Sequence, residues 1–310
     1  MIGSSPQPPI VLFDYQFAPN AQRARNLLWV CDIPYQSCEQ PFRMPRPDLA
    51  DLGITHRRIP VNAIGRDVYA DNRAFIEAVQ SIFPEKTSVL SKSPADQAYE
   101  AFGQRTFWVT LPLVPVPFLT KDFLEDREEL FSCFNRPDYE QLRPSALAEF
   151  RQMLDIVEND FLAQGPWIGG NKCGVADINA SWMIKMVLQT LEVEKEPGFG
   201  AADLPKVHAW INGFPRHSAD NAPEQISGGD AKRKLLDADY AAVEIGIDPL
   251  DPTRLTIGTA VTVEPNDDAM PCKVPQQGKL VGLSRREIVI ELENGLRMHF
   301  PRLGYILKEN

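Results

Sequence analysis

A chain of 310 residues with 44% hydrophobic side chains is long enough for more than one core, so two or three domains are expected. A net charge of -10 excludes the global positive field that a general nucleic-acid binder or membrane-surface protein needs, which leaves small molecules as the expected partners. The start, MIGSSPQPPI, lacks the basic segment and apolar core of a leader, and no stretch approaches the roughly 20 apolar residues of a membrane span, so a soluble cytoplasmic chain is expected.

Residues 10–15, IVLFDY, are β-branched and aromatic enough for a buried strand, closed off upstream by Pro8 and Pro9. Ala24, Leu27, Leu28 and Cys31 then follow helical spacing, with Arg23 and Arg25 off that face. Cys31 falls in the apolar stripe and reads as a structural thiol. A loop rich in Pro and Arg (Pro41, Arg43, Pro45, Arg46, Pro47) cannot be a long regular element. RRIPVNAIGRDVYADNRAFIEAVQSIF reads as a strand near Ile59 to Ile64, a hairpin through Gly65, and a helix capped near Asp71. The order is β, α, loop, β, β, α.

Residues 84–98 read as a linker, and helical patterns dominate from there to about residue 240: AYEAFGQRTFWV, SALAEFRQMLDIVENDFLAQ, ADINASWMIKMVLQTLEV and LPKVHAWINGF. TLPLVPVPFLTK interrupts them, because its prolines cannot continue a helix. From Leu255 the character turns to short β-rich runs. In the strongest, Ile288, Ile290 and Leu292 alternate with Val289, Glu291 and Glu293; Asn294-Gly295 then turns the chain into Leu296, Met298 and Phe300, which alternate with Arg297 and His299. That is a hairpin with one apolar face, in a module read as a small SH3-like or other barrel. The near balance of its charges argues against nucleic acid, and the plainer reading is a packing or dimer-supporting module. The expected division is 1–86, 87–245 and 246–310.

The five cysteines (Cys31, Cys38, Cys133, Cys173, Cys272) are scattered without a CxxC, so neither a disulfide framework nor a zinc site is expected and a reducing compartment fits. His56, His208, His217 and His299 never stand at metal-ligand spacing, so no metal is expected.

Four patterns in order resemble the glutathione S-transferase superfamily over roughly residues 9–240. FAPNAQRARNLLWVCDIPY is similar to the strand-to-helix segment of omega-like members, FCPFxxRxRLxLxxKGIxY. RRIPV resembles the basic-x-Pro-Val segment, DNRAFI stands in the place of ESxAI, and PWIGGNKCGVADI resembles FLxGxxxSxADI of the helical domain. The resemblance implies a thioredoxin-like α/β domain, an all-α second domain, glutathione as cosubstrate and a homodimer, with the β module appended. It also implies a cis proline at Pro60, with the backbone of Ile59 pairing with the cysteinyl part of glutathione as a short added strand. Asp71 and Asn72 take the positions that bind the γ-glutamyl group at a helix start, although a plain helix cap is compatible with them. Arg58, and less directly His56 or Arg57, would meet the glycyl carboxylate, with a solvated cluster as the competing account. Phe17 and Ala18 line the same segment. Gly174 replaces the usual Ser/Thr helix cap, and Asp177 keeps the position that reaches back to it, as a folding residue.

In an ungapped match the catalytic cysteine position is Ala18, so cysteine-type chemistry is not expected. A free thiol near pKa 8.5 needs one hydrogen-bond donor and a helix start to lower it by about one or two units. Asn20 is the first candidate donor and Tyr15 the second, since the register puts Asp14 over the tyrosine-type position; a helix cap and core packing are the plainer readings of Asn20 and Tyr15. The electrophile pocket is expected among Phe102, Arg105, Phe107 and Trp108 of the first long helix, although aromatics at this spacing are more often core. The function implied is conjugation of glutathione to a small conjugated electrophile, in the manner of pathway-specific fungal enzymes such as those of pseurotin-type clusters. The alternatives are cis-trans isomerisation by thiolate addition, rotation and elimination, and a transferase-like fold that only binds.

Overall fold

The computed structural model describes residues 7–128, 130–215, 222–266 and 275–310; His217 and Cys272 lie outside the described residues. The chain divides into two compact units, one of residues 1–24, 34–84 and 219–310 and one of residues 25–33 and 85–218.

The first unit is built on strand β1 (Ile10–Asp14), five consecutive buried residues, which is what a strand covered on both faces requires. Helix α1 (Ala21–Val30) follows, its first turn in this unit and the rest in the other. The chain returns as β2 (Gln36–Glu39), parallel to β1, and α2 (Pro47–Asp51). Strands β3 (Val61–Ile64) and β4 (Asp67–Tyr69) add antiparallel on the other side of β1, and α3 (Asn72–Ile82) completes a thioredoxin-like arrangement. Gly65 makes the β3–β4 turn with φ of +58°, and a Cβ there would stand 2.4 Å from the carbonyl oxygen of Asp239, so both conformation and space demand glycine. β2 is too polar (QSCE) to read as a strand, and Pro47 opens α2 as a helix's first residue can.

β5 (Glu224–Gln225) joins the edge at β2, and α10 (Gly228–Asp237) buries only Ala231 and Leu235, which explains why periodicity did not show it. Five strands end the chain: β6 (Ala260–Pro265), β7 (Gln276–Leu283), β8 (Glu287–Glu291), β9 (Arg297–Pro301) and β10 (Tyr305–Glu309). The hairpin pairs as its pattern dictates, Ile288 opposite Phe300 and Ile290 opposite Met298. Three modules were expected and two units are found, because β9 lies parallel to β4, with Met298 beside Val68 and His299 beside Tyr69. One sheet results, in the order β10-β6-β7-β8-β9-β4-β3-β1-β2-β5. One core serves both halves: Val11, Phe13, Val61 and Val68 pack in the same cluster as Val261, Leu280, Ile290, Met298 and Phe300.

At the junction lies His299, which alternates with the apolar residues of β9. It is buried, with Nε2 2.9 Å from Asp67 Oδ1, Nδ1 2.9 Å from Glu287 Oε1 and its ring stacked on Tyr69 at 4.8 Å. Burial pulls its pKa down, but the two carboxylates outweigh that and hold it above the ordinary histidine value. The other carboxylate oxygen of Asp67 accepts from the backbone N–H groups of Ala241 and Ala242, at 2.6 and 2.8 Å.

The second unit is helical. Its long members are α5 (Asp96–Thr110), α7 (Tyr139–Ile156), α8 (Val175–Lys185) and α9 (Pro205–Gly213); α4 (Pro84–Thr87) and α6 (Lys121–Arg127) are short. α7 and α8 each run on into a π turn, and the Pro-rich segment forms two single 3₁₀ turns, Leu111–Leu113 and Val116–Phe118. Gly103 lets α5 and α8 meet: a Cβ would lie 2.1 Å from the carbonyl oxygen of Asn179. Phe150, Leu154, Trp182, Met183 and Trp210 anchor the core.

At the head of α8, Asp177 Oδ2 accepts from the N–H of Gly174, while Oδ1 accepts from Ile168 N–H and Trp210 Nε1, each at 2.8 Å. Burial raises its pKa against those three bonds. The missing Ser/Thr cap has a steric cause. Ser91, in the segment expected to be only a linker, bridges to Gly174, and a Cβ there would stand 2.2 Å from Ser91 Oγ.

Candidate functional site

The turn after β1 brings the N–H of Ala18 to the carbonyl of Tyr15 at 2.9 Å, and α1 begins two residues beyond Pro19. Phe17 is 66% exposed at the tip of this turn, whereas Ala18 is buried. Tyr15 meets the ring of Phe42 edge-on at 5.1 Å. The expected contacts divide into those at the surface and those beneath it.

Asn20 is half-buried and is held from below. Asn72 Nδ2 donates to the main-chain oxygen of Asn20 at 2.7 Å and to its Oδ1 at 3.1 Å. Arg23 Nη1 also approaches that Oδ1, at 3.5 Å. With its oxygen so engaged, Asn20 keeps its NH2, a two-proton donor, with no hydrogen-bond acceptor among the described residues. Arg23, placed off the apolar face by periodicity, is in fact 1% exposed.

Asn72 was expected to touch the γ-glutamyl group; its side chain is engaged within the protein instead. It is fully buried at the first position of α3, its Nδ2 taken by Asn20, and its Oδ1 accepts from Asn62 Nδ2 at 3.4 Å. Asn62, an interior position of β3 with no exposure, was not singled out from sequence; a polar residue between Val61 and Ala63 was its only mark. Asp71 is the N-cap of α3, in extended backbone, with Oδ1 accepting from Arg73 N–H at 2.8 Å.

Ile59-Pro60 is a cis peptide bond, and Val61 begins β3 immediately after it. Arg58 and Ile59 are half-buried beside it. His56 does not join them. It is 5% exposed, near the rings of Phe300 (6.0 Å) and Tyr305 (6.1 Å), so it faces the C-terminal strands. Burial, reinforced by the positive charges of Arg58 and Arg46, lowers its pKa to about 3. A neutral imidazole offers an N–H donor but no positive charge to a carboxylate, so His56 is a weaker anion-binding candidate than Arg58.

The pocket candidates on α5 separate. Phe102 packs against Phe161 at 4.8 Å in the core of the helical unit. Phe107 stacks on Trp182 at 5.8 Å. Arg105 is exposed but ion-paired with Glu149, so its charge is not spare. Trp108 alone of these presents an exposed aromatic face. The four cysteines among the described residues are poor nucleophiles: burial raises Cys31 to about 11 and Cys38 to about 12, and it raises Cys133 and Cys173 as well. Among the described residues no cluster of three His, Cys, Asp or Glu side chains could hold a metal ion.

A thioredoxin-like layer with a cis proline before β3, followed by a helical unit with a buried aspartate heading its core helix, is the architecture of the glutathione S-transferase superfamily. The chain has the fold of that superfamily. A GST-like protein from Pseudomonas syringae matches over 97% of this chain and 99% of its own, with a TM-score of 0.65 at 22% identity, so the match includes the C-terminal strands. A glutathione transferase from Phanerochaete chrysosporium covers 67% of this chain and 96% of its own, with a TM-score of 0.54 at 14% identity. In sequence, the glutathione S-transferase-like protein tpcF of Aspergillus fumigatus is 23% identical over 204 residues, 63% of this chain and 85% of that protein. A family model described as a domain of unknown function, DUF7962, matches residues 109–223. No helix among the described residues is long and apolar enough to cross a membrane.

Proposed function

We propose that the chain is a glutathione S-transferase in which the thiol of glutathione is the nucleophile and Asn20 supplies the hydrogen bond that holds it as thiolate. The observation that carries this reading is the NH2 of Asn20, which has no acceptor among the described residues while its oxygen is engaged from below. Donation to the ionised sulfur lowers the thiol pKa because it favours the charged form. Ile59, half-buried just before β3, is the residue read as pairing with the cysteinyl backbone, with Arg58 beside it for the glycyl carboxylate and Asp71 at the start of α3 for the γ-glutamyl end. Tyr15 is the second candidate donor.

The exposed apolar side chains of the same unit, Phe17, Phe42 and Met44, suit a flat, conjugated small electrophile as the second substrate. In this reading the protein is a pathway-type enzyme working as a cytoplasmic homodimer. The order β10-β6-β7-β8-β9 supports reading its C-terminal strands as an SH3-like barrel whose β9 edge continues into the sheet at β4. Titration with glutathione by calorimetry, with thiolate absorbance followed near 240 nm, tests it in wild type, Asn20→Ala and Tyr15→Phe. Binding with a thiolate signal that Asn20→Ala loses supports the assignment. No binding at millimolar glutathione sinks it, and product stoichiometry then separates conjugation from isomerisation.

A further inference from the structure

Resting on that reading, we infer that Asn72 is the positioning residue for the thiol-activating group: it fixes which end of the Asn20 carboxamide faces outward. A carboxamide has a donor end and an acceptor end of nearly equal size, so packing alone cannot orient it and the polarity of its neighbours must. Here the polarity runs in one direction through three amides. Asn62 Nδ2 donates to Asn72 Oδ1, so Asn72 presents its NH2 on the other side, where it donates to Asn20 Oδ1 and to the Asn20 main-chain oxygen. The Asn20 oxygen is thereby turned inward and the NH2 left over. Asn62 and Asn72 have no exposure, so water cannot satisfy a reversed arrangement. Asn62 Oδ1, at the far end of the chain of amides, is buried with no hydrogen-bond partner among the described residues.

The residues make the inference testable by reversing polarity with almost no change of shape. Asn72→Asp removes both donors and offers only acceptors, which turns the Asn20 NH2 inward and its oxygen toward the thiol against the single long contact from Arg23 Nη1 at 3.5 Å. Asn72→Ser keeps a hydroxyl that can donate to Asn20 and serves as the rescue. Two readouts are taken on the full chain. Hydrogen exchange of the Asn20 side-chain NH2, followed by NMR, reports orientation with no ligand present; thiolate absorbance near 240 nm reports the pKa of bound glutathione, with S-methylglutathione binding as the control for an intact site.

We expect Asn72→Asp to slow exchange of the Asn20 NH2 at least tenfold and to raise the bound thiol pKa by about one unit, a tenfold loss of thiolate at neutral pH. S-methylglutathione affinity should stay within about twofold, and Asn72→Ser should stay near wild type in both readouts. Unchanged amide exchange in a folded Asn72→Asp overturns the inference, as does altered exchange with an unchanged thiol pKa. Should Asn72→Asp not fold, Asn62→Asp reverses the same chain one residue earlier, with the same expected and overturning results. A wild type that fails to bind S-methylglutathione defeats the transferase reading instead, and the amide exchange then decides the orientation claim by itself.

Discussion

Asn20 and Asn72 carry the same side chain, and burial separates their work: one retains a donor, the other spends every polar atom on its neighbours. Replacing Asn20 by alanine should raise the pKa of bound glutathione by about one unit and lower turnover at neutral pH about tenfold, with binding of S-methylglutathione little changed. Stopped-flow pH profiles would check it. His56 gives a second prediction at this scale. Its folded pKa, about 3, lies below the unfolded value near 6.5, so its contribution to stability is fully present above that value and is lost as pH falls. Unfolding by urea should be about 2 kcal/mol easier at pH 5 than at pH 8 through this residue alone. His56→Gln should remove most of that difference; a variant with the wild-type slope would refute the assignment. Asn20 drew attention in the sequence because no Ser, Cys or Tyr stood where one was expected. The roles of Asn72, Asn62 and Arg23 were not, since nothing in local spacing states which polar side chains end up buried together.

At the scale of elements, helix ends test the balance between propensity and close approach. Serine is ordinarily the better helix cap than glycine. Gly174→Ser should nonetheless destabilise the chain by about 1 to 3 kcal/mol, because its Cβ meets Ser91 Oγ at 2.2 Å and the Ser91 carbonyl oxygen at 2.8 Å. Gly103→Ala should cost at least as much, since the obstructing atom is the backbone oxygen of Asn179. Thermal melting of the two variants beside wild type decides both; an unchanged or raised Tm for Gly174→Ser would mean that the segment carrying Ser91 gives way. The long helices and the β8–β9 hairpin were readable from their periodicity, as the pairs Ile288–Phe300 and Ile290–Met298 show. β2, α2 and α10 were not, because each is short or buries few side chains and takes its conformation from what it packs on.

On the scale of the whole molecule, the C-terminal strands belong to the core of the thioredoxin-like unit. A chain ending at residue 245 would expose Val11, Phe13, Val61 and Val68 on the side that β6–β10 cover. We predict that it collects in the insoluble fraction; a soluble fragment with a cooperative melt would show that the strands are dispensable. His299 sits at the seam, between Asp67 of β4 and Glu287 of β8. Its folded pKa is raised, so its contribution is complete below the unfolded value near 6.5 and fades as pH rises through the folded value. His299→Gln should therefore destabilise the protein most in acid and progressively less as the pH rises, the opposite trend to His56→Gln.

Local order settled much of this protein in advance: the β-α-β-β-α succession, the helical second unit and the β-rich end follow from hydrophobic period, proline placement and turn chemistry, which act over a few residues, whereas the cis proline at Pro60 was implied by the family resemblance alone. Whether the last strands stand apart or extend the first sheet, and which of three asparagines keeps a donor to give away, was decided only in the tertiary structure. Strand pairing such as β4 with β9 and amide orientation both depend on partners far away in the chain, Tyr69 with His299 and Asn20 with Asn72, and burial makes those partners exclusive.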